Sequence, residues 1–67
     1  MQTGLYKHFK GNLYEVSGIA IHSETKEEFV VYKPVKSDQL FVRPKIMFEE
    51  MVTDPNGNEV KRFTYLG

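Results

Sequence analysis

A polar run between two apolar segments is the feature that most constrains how this chain can fold. The run consists of His22, Ser23, Glu24 and Thr25. Leu13–Ile21 precedes it and residues 28–32 follow it, and both segments carry the β-branched and aromatic residues that favour strands. The polar run therefore predicts a turn at which an antiparallel pair of strands reverses direction.

The length of the chain sets a limit on its stability. The 67 residues predict one domain spanning 1–67. A chain of this size buries only about 60% of the surface that its unfolded form exposes. It has no cysteine, so neither a disulfide framework nor a cysteine-based zinc site is expected. Stability must come from apolar packing, helped at most by a partner chain.

Charge and hydropathy exclude several classes of protein. Nine basic residues balance nine acidic ones, so the whole molecule has no strong attraction for nucleic-acid backbones or anionic membranes. No charged and then apolar leader opens the chain, and no run approaches the roughly 20 apolar residues that a membrane span requires. We therefore expect a cytoplasmic protein with no membrane association.

Glycine, proline and asparagine divide the chain into short strands. Gly11 and Asn12 can supply the positive φ of a tight turn, and Pro34 ends the third strand. Gly18 lies inside the longest strand, where a glycine usually marks a β-bulge. Asp54 to Asn58 has the proline and Asn-Gly pattern of a hairpin turn. The predicted strands are 5–9, 13–21, 28–33, 40–43, 49–53 and 59–66.

The predicted fold class is mainly β, a small antiparallel SH3-like barrel of five or six short strands. One helical turn is expected near residues 44–48, where the apolar spacing suits a helix better than a strand. An OB-like barrel is the main alternative. That fold usually carries a longer helix, and no window here keeps helical periodicity for about 10 residues.

The two histidines, His8 and His22, are the natural starting points for a catalytic or metal site. Neither has a recognisable third ligand, so no metal and no cofactor is predicted. Ser23 follows His22, but no oxyanion glycine motif accompanies the pair. The polar run has two interpretations. In the first, the hydroxyls of Ser23 and Thr25 and the carboxylate of Glu24 satisfy backbone N–H groups within the turn. In the second, His22 and Glu24 contact a polar ligand at the rim of the barrel.

Basic and aromatic residues alternate in several segments, which also permits two interpretations. The aromatics form the core while the cations face water, or the two together bind single-stranded nucleic acid. The second needs the cations Lys7, Lys10, Lys33 and Arg43 to share a face. Three tyrosines are expected to be the exposed aromatics: Tyr6, Tyr14 and Tyr32. Arg43 either binds an anion or pairs with the carboxylate of residue 49 or 50.

The ordered set of motifs across nearly the whole chain resembles the bacterial family named domain of unknown function 1653. The matching segments are residues 6–11, 14 and 16, 20–25, 30–32, 40–44, 47–48 and 62–63. The family usually has tryptophan where this chain has Phe41, and a longer loop where this chain has residues 34–39. The resemblance implies a small bacterial β-domain with no established activity. Five polar residues fall within the family's pattern: His8, His22, Glu24, Tyr32 and Arg43.

The predicted function is a non-enzymatic binding module for a protein or peptide, acting as a monomer or a weak homodimer. The candidate binding residues are His8, His22, Ser23, Glu24, Thr25, Tyr32 and Arg43. Two alternatives remain open. One is a weak binder of RNA or another phosphorylated ligand, and the other is a small enzyme that uses His22 and Glu24.

Overall fold

The computed structural model describes residues 1–67 and contains seven short strands and one short helix. The elements are β1 (Gly4–His8), β2 (Leu13–Ile21), β3 (Glu28–Pro34), β4 (Phe41–Pro44), α1 (Lys45–Phe48), β5 (Met51–Thr53), β6 (Glu59–Lys61) and β7 (Phe63–Tyr65). Their positions follow the alternation and the turn residues of the sequence. No helix of the protein has the length and apolar character required to span a membrane.

The strands form two antiparallel sheets. Five strands pair in the order β4-β3-β2-β1-β7, and β5 and β6 form a separate hairpin. The expectation of a mainly β, antiparallel fold is confirmed. The closed barrel is not confirmed, because β4 and β7 each pair with only one neighbour and the five-stranded sheet stays open.

The predicted last strand, 59–66, is in fact two strands with different partners. β6 pairs with β5, whereas β7 pairs with β1. Arg62 lies between them, where its backbone N–H donates to the carbonyl of Glu50 and its carbonyl accepts from the N–H of Phe9. The chain thus crosses from the hairpin to the large sheet at one residue, and the hairpin is tied to that sheet by these two backbone hydrogen bonds.

The β-bulge predicted at Gly18 is confirmed by a shift of register between Val16 and Gly18. Its φ is not in the left-handed region, and an added Cβ would meet no atom within 4 Å. The bulge therefore does not require glycine for steric reasons. Gly57 is different, because its φ of +83° in the β5–β6 turn is one that side chains rarely adopt.

The core lies between one face of the large sheet and the short helix. It consists of Tyr6, Val16, Val30, Tyr32, Phe48 and Phe63. The helical turn expected near residues 44–48 is confirmed, and it places Phe48 over the sheet. The rings of Phe48 and Phe63 stack with their centroids 4.0 Å apart. Tyr6 and Tyr32 are buried, so the prediction that they are exposed is wrong, because so small a core needs their rings.

Candidate functional site

Five side chains, one from each strand of the large sheet, meet at one end of the core face, and we call them the aromatic-cation cluster. Its members are His8, Tyr14, Tyr32, Arg43 and Phe63. Residues paired across neighbouring strands share a face of the sheet. His8 is paired with Phe63, and Arg43 with the buried Val30, so the register brings their side chains to the core face.

The rings of the cluster contact one another mainly edge to face. The centroid of Tyr14 lies 5.6 Å from those of both Tyr32 and Phe63, and His8 lies 4.9 Å from Phe63. Such arrangements add about 0.5–1.5 kcal/mol per pair beyond area burial. The ring positions are thus determined by mutual packing, which holds the cluster rigid.

Arg43 occupies an unusual position among the cations. Its Nε donates a hydrogen bond of 3.2 Å to the hydroxyl oxygen of Tyr32, and its guanidinium lies 5.9 Å from the centroid of Phe63. Of the two roles considered for Arg43, the pairing with Glu49 or Glu50 is not formed, and Glu50 instead binds Arg62 at 3.0 Å. Arg43 makes no salt bridge, so no carboxylate of this chain compensates its charge.

The other half-buried cations each have an acidic partner. Lys33 lies 3.8 Å from Glu15, Lys45 lies 4.0 Å from Glu28, and Arg62 pairs with a glutamate as described above. Arg43 is the exception among the half-buried lysines and arginines. A cation that is partly shielded from water and has no counter-ion attracts an external anion more strongly than a fully solvated cation does.

His8 adds a second polar group to the cluster. Its Nδ1 accepts a hydrogen bond of 3.1 Å from the backbone N–H of Lys10, so the proton of the neutral ring is on Nε2. Burial lowers the pKa of His8, and the nearby charges of Arg62, Lys10 and Arg43 lower it further. The ring is therefore neutral at pH 7, and Nε2–H is a hydrogen-bond donor.

A surface cavity of about 410 Å³ adjoins the cluster at Tyr14. It is lined by Gly11, Asn12, Leu13, Tyr14, Pro34, Val35 and Lys36. Three of these residues belong to the segment 34–39, in which this chain departs from the pattern of the family it resembles. The loop thus forms one wall of a cavity whose other wall is the β1–β2 turn.

The polar run 22–25 lies elsewhere and is occupied by its own turn. The Nδ1 of His22 accepts from the backbone N–H groups of Glu24 and Thr25, at 3.2 and 3.3 Å. The hydroxyl of Thr25 accepts from the N–H of Glu27 at 3.2 Å. The side chains of Ser23 and Glu24 make no hydrogen bond. The side chains that accept backbone N–H groups in this turn are thus His22 and Thr25, whereas the turn interpretation had named Ser23, Glu24 and Thr25.

The structure divides the predicted site residues into two groups. His8, Tyr32 and Arg43 belong to the aromatic-cation cluster, whereas residues 22–25 form the β2–β3 turn. Tyr14 is near His8 and Ile21 adjoins the turn, and these two residues are seven positions apart along β2, or about 20 Å. No group of three potential metal ligands is present. Whether residues of either group bind a ligand stays a prediction.

Sequence reasoning did not include Tyr14 and Phe63 among the site residues. Tyr14 is paired with Tyr6, which makes it part of the core face, and Phe63 is paired with His8. The alternation of β2 could have suggested Tyr14, because Val16 shares its face. Nothing local could have suggested Phe63, because its position depends on the break at Arg62.

The fold and the cluster define a small antiparallel β-domain with an uncompensated arginine among aromatic rings. A family model described as a protein of unknown function, DUF1653, matches residues 4–65. The chain belongs to this family, as the resemblance implied. A search of curated proteins gives no significant match.

One solved structure is similar over the whole chain. It is a crystal structure of a DUF1653 protein from the bacterium Bordetella bronchiseptica, with 31% sequence identity and a TM-score of 0.88. The match covers 100% of this chain and 88% of the other. The family is thus the same, and neither comparison names a ligand or a reaction.

Proposed function

We propose that this protein is a non-enzymatic binding module for a protein or peptide, and that its aromatic-cation cluster receives a carboxylate of the partner. The single observation that carries the proposal is the environment of Arg43. Tyr32 orients its guanidinium, Phe63 lies beneath it, and no acidic side chain of the chain neutralises it. A guanidinium held in this way loses little further conformational freedom on binding. Its planar geometry favours a carboxylate that accepts two hydrogen bonds.

The surroundings of Arg43 support an anionic partner group. The charges that act on His8 are all positive, and they come from Arg62, Lys10 and Arg43. The Nε2–H of His8 offers a further donor on the same face. Among the charged groups here, Arg62 is already paired with Glu50, but Arg43 makes no salt bridge. A carboxylate could therefore bind Arg43 without displacing an internal acidic group.

The charge distribution favours a peptide over a nucleic acid. Lys33 directly follows the buried Tyr32 and is paired with Glu15. Because successive side chains of a strand point to opposite faces, Lys33 lies on the face opposite Tyr32 and Arg43. Lys7, next to the buried Tyr6, lies on that opposite face as well. A nucleic-acid site that uses these cations needs them to be contiguous along the path of the backbone, and the sheet separates Lys7 and Lys33 from Arg43.

The geometry also bears on the enzyme alternative and on the class of fold. The enzyme alternative uses His22 and Glu24, but the Nδ1 of His22 already accepts backbone N–H groups of its own turn, and His8 lies at the other end of β2. We regard the sheet and the β5–β6 hairpin as an open form of the SH3-like barrel. We also propose that the protein acts in the cytoplasm. The backbone hydrogen bonds of Arg62, which tie the hairpin to the sheet, support the comparison with a barrel.

The test compares two peptides that differ in one group. Both are blocked hexapeptides of alternating valine and threonine, and one carries glutamate at a central position where the other carries glutamine. Each is titrated into ¹⁵N-labelled protein, and backbone amide shifts are followed. We expect the glutamate peptide to bind at least about tenfold more tightly and to shift amides of β4 and the cluster, because a charge-assisted bond to arginine contributes about 1.5–3 kcal/mol.

Protein variants complete the test. Arg43→Gln should abolish the preference for glutamate, whereas Lys7→Gln, which removes an exposed cation of the opposite face, should preserve it. Urea unfolding of both variants establishes that they remain folded. Equal affinity for the two peptides, or an Arg43→Gln protein that still prefers glutamate, would overturn the proposal. Binding of a labelled single-stranded RNA that depends on Arg43, in the absence of peptide binding, would support the phosphorylated-ligand alternative instead.

A further inference from the structure

The outer edge of β4 is an unpaired strand edge next to Arg43. β4 ends the five-stranded sheet, and β3 is its only neighbour. None of the backbone hydrogen bonds made outside the strand ladders involves residues 41–44. The backbone groups of β4 that point away from β3 therefore have no partner within the chain, and such an edge is a template for another strand.

The side chains of this edge are apolar and accessible. Phe41 and Val42 expose 44% and 63% of their surfaces, and Leu40, which directly precedes β4, exposes 54%. Natural sheets usually protect their edges with charges, prolines or a covering loop. In β4 these devices are confined to Arg43 and Pro44, and Phe41 and Val42 have neither. An exposed apolar patch marks an interaction surface more often than an exposed polar patch does.

The two faces of β4 offer different chemistry. Phe41 is paired with Tyr32 and Arg43 with Val30, so both belong to the core face. Val42 is paired with Val31 and lies on the opposite face. A strand laid beside β4 would thus meet an aromatic ring and a guanidinium on one side, and an aliphatic side chain on the other.

We infer that the partner binds by β-strand addition: an extended, acidic segment of another protein pairs with the outer edge of β4. The inference rests on the proposed function, because the carboxylate that Arg43 binds fixes the register of the added strand. On the face of that carboxylate, an apolar side chain two residues away packs on Phe41. On the other face, a β-branched side chain packs on Val42.

Charge complementarity selects this occupant over a second copy of the chain. Pairing of two β4 edges would bring Arg43 of both copies to the same short ladder, with no acidic residue in β4 to compensate them. Like charges placed close together across strands are destabilising. An acidic segment compensates Arg43 and also covers the apolar edge.

The test blocks the backbone of the glutamate hexapeptide one amide at a time. An added strand directs every second N–H toward β4 and the others toward water. N-methylation of the inward amides should weaken binding at least about tenfold, whereas N-methylation of the outward amides should leave the affinity within about threefold. The two positions give opposite results only if the peptide pairs as a strand.

The outcomes distinguish this inference from the proposed function. If all N-methylated peptides bind alike while Arg43→Gln still removes the preference for glutamate, strand addition is overturned and the carboxylate site stands. If the unmethylated peptide does not bind, both are overturned. Val42→Lys, at an exposed position, should weaken binding while Val42→Thr does so much less. A concentration-dependent dimer in sedimentation experiments, dissociated by Val42→Lys, would assign the edge to a second copy and overturn the inference.

Discussion

Phe48 is the one side chain by which the helix closes the core, and its removal is the most severe test of the packing described above. It is 1% exposed, and its ring stacks on that of Phe63 at 4.0 Å. Tyr6 and Tyr32 meet it edge to face, with centroids at 5.5 and 5.4 Å. A substitution here therefore affects three of the other buried residues at once.

The expected magnitude follows from the size of the core. Phenylalanine-to-alanine changes in cores cost about 3–5 kcal/mol. A chain of 67 residues has a total free energy of unfolding of about 3–10 kcal/mol. Phe48→Ala should therefore leave much of the protein unfolded. Phe48→Leu keeps most of the apolar volume but loses the aromatic contacts, so we expect a loss of about 1–2 kcal/mol.

Urea unfolding followed by circular dichroism measures this loss. With a slope of about 1 kcal/mol per molar urea for a small domain, Phe48→Leu should lower the midpoint by about 1–2 M. Ile46→Ala is the matched control, because this residue of the same helix is 79% exposed and its loss should cost about 0.5 kcal/mol or less. An unchanged midpoint for Phe48→Leu, or an equal loss for Ile46→Ala, would refute the assignment of the helix to the core.

Three further predictions concern turns and pH. Gly57→Val should lower the free energy of unfolding by about 1–3 kcal/mol, because φ is +83° there. Gly18→Val should cost less than about 0.5 kcal/mol. Equal losses in urea unfolding would contradict this difference. Asp54→Ala should cost about 1 kcal/mol, since its Oδ1 accepts two backbone N–H groups at 2.9 Å, while Asp54→Asn retains most of that stability. Folding lowers the pKa of His8, so the unfolded chain binds the proton more readily, and stability should fall as the pH drops below the unfolded value of about 6.5. His8→Gln should reduce that dependence, and an unaltered pH profile would exclude His8 as its source.

Local signals in the sequence were sufficient for most of the elements. Gly18 indicated the bulge, the Asn-Gly pair indicated the left-handed Gly57, and the apolar spacing after Pro44 indicated the helix. Each of these depends on a few neighbouring residues and on which backbone angles they allow. Composition alone likewise indicated that the aromatic residues must form the core, although it misjudged the exposure of Tyr6 and Tyr32.

The candidate site required the tertiary structure, because its members come from distant parts of the chain. Whether Arg43 pairs with an acid depends on which strand lies beside it, and here that neighbour offers the hydroxyl of Tyr32. Glu50 is taken by Arg62, the residue at which the last strand changes partner. Strand pairing depends on residues that are far apart in the chain. The register that buries the most apolar surface is favoured, and that register then determines which polar side chains meet. The sequence by itself could therefore name His8, Tyr32 and Arg43, but only the sheet brought them together and separated them from His22.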